Sequence, residues 1–76
     1  MPRYFVDVVQ GGDVYDDYYG MILANMAAVR QEVEATIREI VSDSVRGGDG
    51  IGDGEIRVRN TKGVKVLTMK FRDVVL

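Results

Sequence analysis

Hydrophobic and polar positions near both ends of the chain alternate with the period of a β-strand. Residues 3–9 are mostly aromatic or β-branched and are followed by a Gly-Gly pair, as is typical of a strand that ends in a turn. Residues 56–59 and 66–71 alternate in the same way. Residues 60–63 between them fit a hairpin turn, with asparagine first and glycine where φ must be positive. Residues 14–17 predict a short second strand, antiparallel to the first.

The middle of the chain has the period of an amphipathic helix. Asn25 is predicted to cap its first turn, and the helix is expected to end near Arg46. There Gly47 would adopt the left-handed cap conformation. The apolar positions recur at steps of three to five residues and predict the buried face: Met26, Val29, Val33, Ile37, Ile40 and Val45.

These elements predict the fold class α+β, in the order strand, short strand, helix, strand, strand. One amphipathic helix would pack on one face of a mainly antiparallel sheet of three to four strands. A chain of 76 residues is expected to form a single domain, residues 1–76. Residues 46–55, RGGDGIGDGE, are rich in glycine and aspartate and predict a flexible connection between helix and hairpin. Ile51 either anchors this loop under the domain or stays mobile.

The glycine-rich loop fits neither a calcium-binding loop nor a phosphate-binding loop. A calcium loop that begins at Asp49 would have Asp53 and Gly54 in place, but Ile51 stands where an oxygen ligand is needed and Asn60 where a bidentate glutamate is needed. Loops that bind phosphate follow a strand and precede a helix, whereas this loop follows a helix and precedes a strand. We therefore expect no metal site and no cofactor.

Catalytic chemistry also has little support, because the chain contains neither cysteine nor histidine. Asp13, Asp16 and Asp17 cluster near a predicted turn, where solvation alone accounts for them. Ser42 and Ser44 have no candidate base. We expect a protein that is not an enzyme and has no catalytic residues.

The charges are unevenly distributed, although the net charge is only −2. Residues 1–54 hold four arginines against ten acidic residues, and residues 55–76 hold six basic residues against two acidic ones. In a compact domain, such asymmetry more often means that one half attracts the other half or a second subunit. The basic hairpin nevertheless supplies a possible nucleic-acid patch of Arg57, Arg59, Lys62 and Lys70. Lys65 is expected to point away from that face.

A single helix can cover only one face of the sheet, which leaves the other face open. Phe5 and Val9 of the first strand are predicted on this open face, together with Val66 and Thr68 of the last strand. An exposed apolar patch usually marks an association surface, and a symmetric homodimer would bury it. These four residues are the predicted self-association face.

Three segments resemble a family of short uncharacterised bacterial proteins, a domain of unknown function. They are the opening MPRYFVDV of residues 1–8, the pattern Asp17-x-x-Gly20 leading through Leu23 to Arg30-x-Glu32, and the close VLTMxFxD of residues 66–73. The resemblance implies a bacterial α+β domain and transfers no activity. The chain departs from the family in having Ala24-Asn25 for the more usual proline and aspartate, and Tyr18-Tyr19 where acidic residues are common. The order of strands before a helix is also similar to the N-terminal part of HicB-type antitoxins.

The predicted function is a non-enzymatic protein-interaction module that associates with itself through the open sheet face, and a further protein partner is compatible with it. The alternative is a small nucleic-acid-associated or antitoxin-like regulator that uses the basic hairpin. No apolar run approaches the roughly 20 residues of a membrane span, and the N-terminus lacks the apolar region of a signal peptide. We therefore expect a cytoplasmic protein without membrane contact.

Overall fold

A computed structural model describes residues 2–48, 50 and 52–75 of the chain. Asp49 and Ile51, on which the calcium and anchor hypotheses depend, lie outside the described residues. The elements are β1 (Arg3–Gln10), β2 (Asp13–Tyr15), β3 (Met21–Ile22), α1 (Met26–Arg46), β4 (Glu55–Arg59), β5 (Lys65–Lys70) and α2 (Phe71–Val75). The class is α+β as predicted. The strand β3 and the short helix α2 were not predicted, and the sheet has five strands.

The sheet is antiparallel throughout its described pairings, with the strand order β2-β1-β4-β5. The additional strand β3 pairs with β1 at Arg3 and Tyr4. Alternate residues of a strand direct their backbone groups to the same edge. At the edge of β1 beside β3, the Pro2 carbonyl accepts from the Leu23 amide at 3.1 Å. Four residues later, the Val6 amide donates to Asp17 Oδ2 at the same edge. β2 and β3 therefore follow one another along the same edge of β1.

The hydrophobic core lies between α1 and one face of the sheet. Tyr4, Val6 and Val8 of β1 pack against it, as their alternation predicts. Phe5, Asp7 and Val9 are consequently on the opposite, outer face of the sheet. The fully buried or nearly buried apolar residues are Val29, Val33, Ile37, Val41, Ile56, Val58 and Phe71.

The helix α1 begins and ends at the predicted residues, but the residue with the positive φ at its end is not the predicted one. The Asn25 side chain accepts a hydrogen bond from the Ala28 amide at 2.9 Å, which confirms the N-cap. The prediction for Gly47 was wrong, because its φ is −79° and Gly48 has the positive φ, at +87°. With two glycines in succession, helical geometry can continue through the first before the chain reverses at the second. Val45 was predicted on the buried face but is 54% exposed, because the buried stripe of α1 ends one turn earlier, at Val41.

The predicted hairpin turn is confirmed. The Gly63 amide donates to the Asn60 carbonyl at 3.0 Å, and Gly63 has a φ of +78°. The Asn60 side chain accepts from the Lys62 and Val64 amides at 2.9 and 3.0 Å. The turn thus depends on hydrogen bonds between near neighbours in the sequence, which is why it could be predicted from the sequence alone.

A β-bulge beside the turn changes which face two residues of β5 occupy. Val58 pairs with Leu67, but Arg59 pairs with Lys65, so the register skips Val66. The placement of Val66 on the open face was therefore wrong, and its side chain packs against the core. The expectation that Lys65 points away from Arg59 was also wrong, because the bulge sets the two opposite each other.

The last strand stops earlier than predicted, because Phe71 begins α2 instead of continuing β5. The Phe71 amide donates to the Gly54 carbonyl at 3.0 Å, and its buried ring packs on the Gly54 backbone. A Cβ at position 54 would overlap that ring. The end of the glycine-rich loop is thus part of the packed structure. Within the described residues, no helix has the length and apolar character needed to cross a membrane.

Candidate functional site

The loop of residues 16–20, which we call the Asp17 loop, closes the gap between β2 and β3. Asp17 Oδ1 accepts from the Tyr19 and Gly20 amides, both at 3.0 Å. Asp17 Oδ2 accepts from the Val6 amide at 3.1 Å. The carboxylate thus satisfies a backbone donor of β1 at a point where neither β2 nor β3 pairs with it.

Asp7 and Arg59 hold this loop against the outer face of the sheet. Asp7 accepts from Arg59 Nε at 2.6 Å and Nη2 at 3.0 Å, a bidentate pairing with directional as well as electrostatic strength. Asp7 also accepts from the Asp17 amide at 2.9 Å, and Arg59 donates to the Asp17 carbonyl at 3.1 Å. The guanidinium lies 5.0 Å from the centroid of the Phe5 ring, within range of a cation–π interaction. Two strands and one loop are therefore joined by a single network.

The network keeps its carboxylates ionised. Hydrogen bonding from Arg59 lowers the pKa of Asp7, and the Asp17 amide acts in the same direction against the effect of burial. Burial alone would raise the pKa of Asp17, but the Gly20, Val6 and Tyr19 amides outweigh it, and the pKa is lowered. The Asp7 carboxylate raises the pKa of Arg59 in turn. Such shifts suit groups that hold a structure together, because a general acid or base works best with a pKa near the operating pH.

Gly20 allows the Asp17 loop to lie directly on β1. Its φ is +75°, and a Cβ there would stand 2.9 Å from Arg3 Cγ and 3.0 Å from both Phe5 Cε1 and the Tyr4 carbonyl oxygen. Arg3 also donates to the Tyr19 carbonyl at 2.7 Å from the same side. The position of the loop therefore depends on a residue without a side chain.

The most exposed apolar surface of the described chain lies on this loop and the strands beside it. Of eight exposed large hydrophobic side chains in the described residues, six lie between positions 14 and 22. Tyr18 and Tyr19 are 81% and 86% exposed. We call the six the aromatic edge: Val14, Tyr15, Tyr18, Tyr19, Met21 and Ile22. No described strand pairs with the outer sides of β2 and β3, so the aromatic edge coincides with a free edge of the sheet.

The structure does not bring the predicted self-association residues together as one apolar patch. Phe5 and Val9 are half-buried on the outer face, where Arg59 lies over the Phe5 ring. Thr68 is exposed on the same face two strands away, opposite Arg57. Val66, as described above, packs against the core. The outer face is therefore more charged than the sequence analysis expected.

The predicted basic patch is partly neutralised by ion pairs. Arg57 Nε lies 2.7 Å from Glu55 Oε2, and Arg59 is bound to Asp7. Lys70 lies opposite Glu55 in the sheet. Lys62 is exposed in the hairpin turn. The register thus confirms that Arg57, Arg59 and Lys70 share the outer face, but two of the three have carboxylate partners there.

A groove of about 330 Å³ lies between α1 and the β5 edge. Its charged residues oppose one another, with Arg30 and Arg38 against Glu34 and Asp73. Arg38 and Glu34 form an exposed ion pair at 3.5 Å. The groove therefore has no excess of either charge with which to select a ligand.

The sequence analysis missed the roles of Asp7 and Asp17. Asp17 was interpreted as a solvated residue of a turn, whereas it accepts from three backbone amides. One signal was available, since Asp7 is the single charged residue in the otherwise apolar run of residues 4–9. A carboxylate in such a place needs a partner.

The architecture defines a small α+β domain with a stabilised aromatic loop at one sheet edge and with no cluster of metal ligands among the described residues. A family model described as "Domain of unknown function (DUF6894)" matches residues 3–72, and the chain belongs to that family. The matched region includes the Asp7–Arg59–Asp17 network and the whole aromatic edge. No curated protein and no solved structure matches the chain.

Proposed function

We propose that this domain is a non-enzymatic protein-interaction module whose binding surface is the aromatic edge. The observation that supports this most is the concentration of six exposed large hydrophobic side chains on one free sheet edge. A tyrosine alone presents roughly 150–250 Å² for burial, and each partner of a standard-size interface buries about 800 Å². The aromatic edge can therefore supply much of an ordinary interface.

The rigidity of the Asp17 loop favours binding. Tyr18 and Tyr19 follow directly on a residue whose carboxylate and backbone are held by Val6, Asp7 and Arg59. A preorganised loop loses little conformational entropy when it docks, so more of the contact energy remains as affinity. Tyrosine is also enriched at protein interfaces, because it combines a large apolar ring with a hydroxyl group.

Self-association is part of this proposal, and we assign it to the aromatic edge instead of the outer face. Val66 is unavailable there, and Phe5 is partly covered by Arg59. Two identical edges would bring Asp13 and Asp16 of one copy near the same acids of the other. A homodimer formed in this way is expected to be weak, and salt should strengthen it by screening the like charges.

Sedimentation equilibrium tests self-association from low micromolar to about 1 mM protein. The weight-average mass of the wild type should rise towards that of a dimer, and Tyr18→Ala/Tyr19→Ala should remain a monomer. Val14→Ser and Val64→Ser form a matched pair, because these valines are 55% and 54% exposed and only Val14 is on the aromatic edge. Val14→Ser should weaken association and Val64→Ser should not. A wild-type mass that stays monomeric throughout, or equal effects of the two valine variants, would overturn the proposal.

The second candidate function is a nucleic-acid-associated or antitoxin-like regulator that uses the basic hairpin. Exposed Lys62 and the lysines Lys65 and Lys70 on β5 favour it. The ion pairs of Arg57 and Arg59 count against it, because less positive charge is left to displace counterions from a phosphate backbone. A cytoplasmic location in a bacterium belongs to either proposal, and cell fractionation can test it.

A further inference from the structure

The aromatic edge is flanked by negative charge. Asp13 and Asp16 are exposed on either side of Val14 and Tyr15. The lysines of β5 are at the opposite edge of the sheet, with β1 and β4 between. Two arginines lie beside the loop, and both are engaged: Arg3 donates to the Tyr19 carbonyl, and Arg59 is bound to Asp7 and the Asp17 carbonyl. A partner that covers this edge therefore meets tyrosine rings and carboxylates together.

The free backbone of the edge suits an extended partner. β2 is exposed over its whole length, Asp13–Tyr15, and in the described structure it pairs only with β1. An added strand gains main-chain hydrogen bonds along such an edge, while its alternate side chains select the surface they fit. Opposite charges across the strands would add to the pairing, and like charges would oppose it.

We propose that the aromatic edge binds an extended, arginine-containing protein segment, which adds to β2 as a further strand. This inference rests on the proposed function and names the chemistry of the partner. Arginine can pair with Asp13 or Asp16 and stack on an exposed tyrosine ring. The domain already contains that arrangement internally, where Arg59 lies 2.6 Å from Asp7 and 5.0 Å from the Phe5 centroid. A second copy would instead bring the same carboxylates to the edge, and its Arg3 already donates to its own Tyr19 carbonyl.

NMR titration of the ¹⁵N-labelled full chain with a synthetic peptide of alternating arginine and valine tests the inference. Amide shifts should concentrate in residues 13–22, and affinity should fall as salt is raised. A peptide with glutamate in place of arginine should not bind. A peptide with lysine should bind several-fold more weakly, because lysine lacks the planar guanidinium that pairs in bidentate fashion and stacks on rings.

Two variants and one matched control locate the contacts. Asp13→Asn/Asp16→Asn and Tyr18→Ala/Tyr19→Ala should each weaken binding of the arginine peptide by about tenfold or more. Asp73→Asn removes an exposed carboxylate from α2 and should leave affinity unchanged. The amide spectrum of each variant shows in the same experiment that it is folded.

The outcomes separate this inference from the proposed function. If the arginine peptide fails to bind, or binds equally well to Asp13→Asn/Asp16→Asn, the inference is wrong. The proposed function still stands in that case if Tyr18→Ala/Tyr19→Ala abolishes self-association. An oligonucleotide added at low salt should leave the spectrum unchanged. If the oligonucleotide instead shifted the amide signals of Lys62, Lys65 and Lys70, the inference would be overturned in favour of the nucleic-acid-associated regulator.

Discussion

Gly20 and Asp17 together determine where the aromatic loop lies. Asp17 binds three backbone amides, and one of them belongs to Val6, which is 11 residues earlier in the chain. The cap at Asn25 and the turn at Asn60 could be predicted because donor and acceptor are close neighbours in sequence. The role of Asp17 could not, because the Val6 and Asp7 contacts depend on the path of β1. Gly20 is required for the same reason, since its close contacts are with β1.

Gly20→Ala should destabilise the domain more than Gly63→Ala. Both glycines have a positive φ, at +75° and +78°, but a Cβ at Gly63 meets nothing within 4 Å. Gly63→Ala should therefore cost about 1 kcal/mol from backbone strain alone. Gly20→Ala also brings the new Cβ against the Tyr4 carbonyl oxygen, which belongs to the backbone and cannot move aside as a side chain can. We therefore expect a total loss of about 2–3 kcal/mol in the free energy of unfolding. Urea unfolding measures both, and equal losses would show that the close packing of Gly20 is unimportant.

The strands and the long helix could be predicted from periodicity. The structure differs from the prediction where residues of different elements contact each other. The alternation in β1 and β4 correctly assigned the faces of the sheet, because each strand has one side on the core. The bulge at Val66 and the start of α2 at Phe71 were not predictable in this way. Phe71 keeps the alternation of β5 as a buried residue, yet it begins α2, and its ring packs on Gly54, the residue that precedes β4. The hydrophobic periodicity of the sequence predicts which residues are buried, but it does not predict which element a buried ring contacts.

Gly54→Ala tests whether this contact holds α2 in place. Gly54 does not have a positive φ, so any loss should come from the ring of Phe71 and not from backbone strain. We expect a loss of about 2 kcal/mol or more in the free energy of unfolding. In a Phe71→Leu background, the same change should cost clearly less, because leucine leaves room for the added methyl group. Equal costs in the two backgrounds would exclude the ring as the cause.

In the whole molecule, the acidic N-terminal part and the basic C-terminal part are joined by the Asp7–Arg59 pair. The two residues are 52 positions apart in sequence and adjacent on the outer face. The charge asymmetry of the sequence indicated such an attraction without identifying the pair. The same pair supports the Asp17 loop, so the aromatic edge and the stability of the sheet depend on shared contacts. We expect acid to weaken both together.

Stability should therefore fall as the pH decreases through the acidic range. The pKa values of Asp7 and Asp17 are lowered in the folded chain, whereas aspartates of the unfolded chain have pKa values near 3.9. Below about pH 5, the unfolded chain therefore binds more protons than the folded chain does. The free energy of unfolding then decreases until the folded carboxylates are themselves protonated.

Asp7→Asn isolates this contribution. At neutral pH it should cost about 2 kcal/mol, because asparagine removes the buried negative charge that pairs with Arg59 and keeps only one of the two acceptor oxygens. The difference from wild type should shrink as the pH falls through the lowered pKa of Asp7, because the wild-type carboxylate then loses its charge as well. Urea unfolding at a series of pH values measures both curves, with Asp13→Asn as the control for removing an exposed carboxylate near the loop. If the curves of wild type and Asp7→Asn ran parallel down to the lowest pH, Asp7 would not be a source of the acid sensitivity.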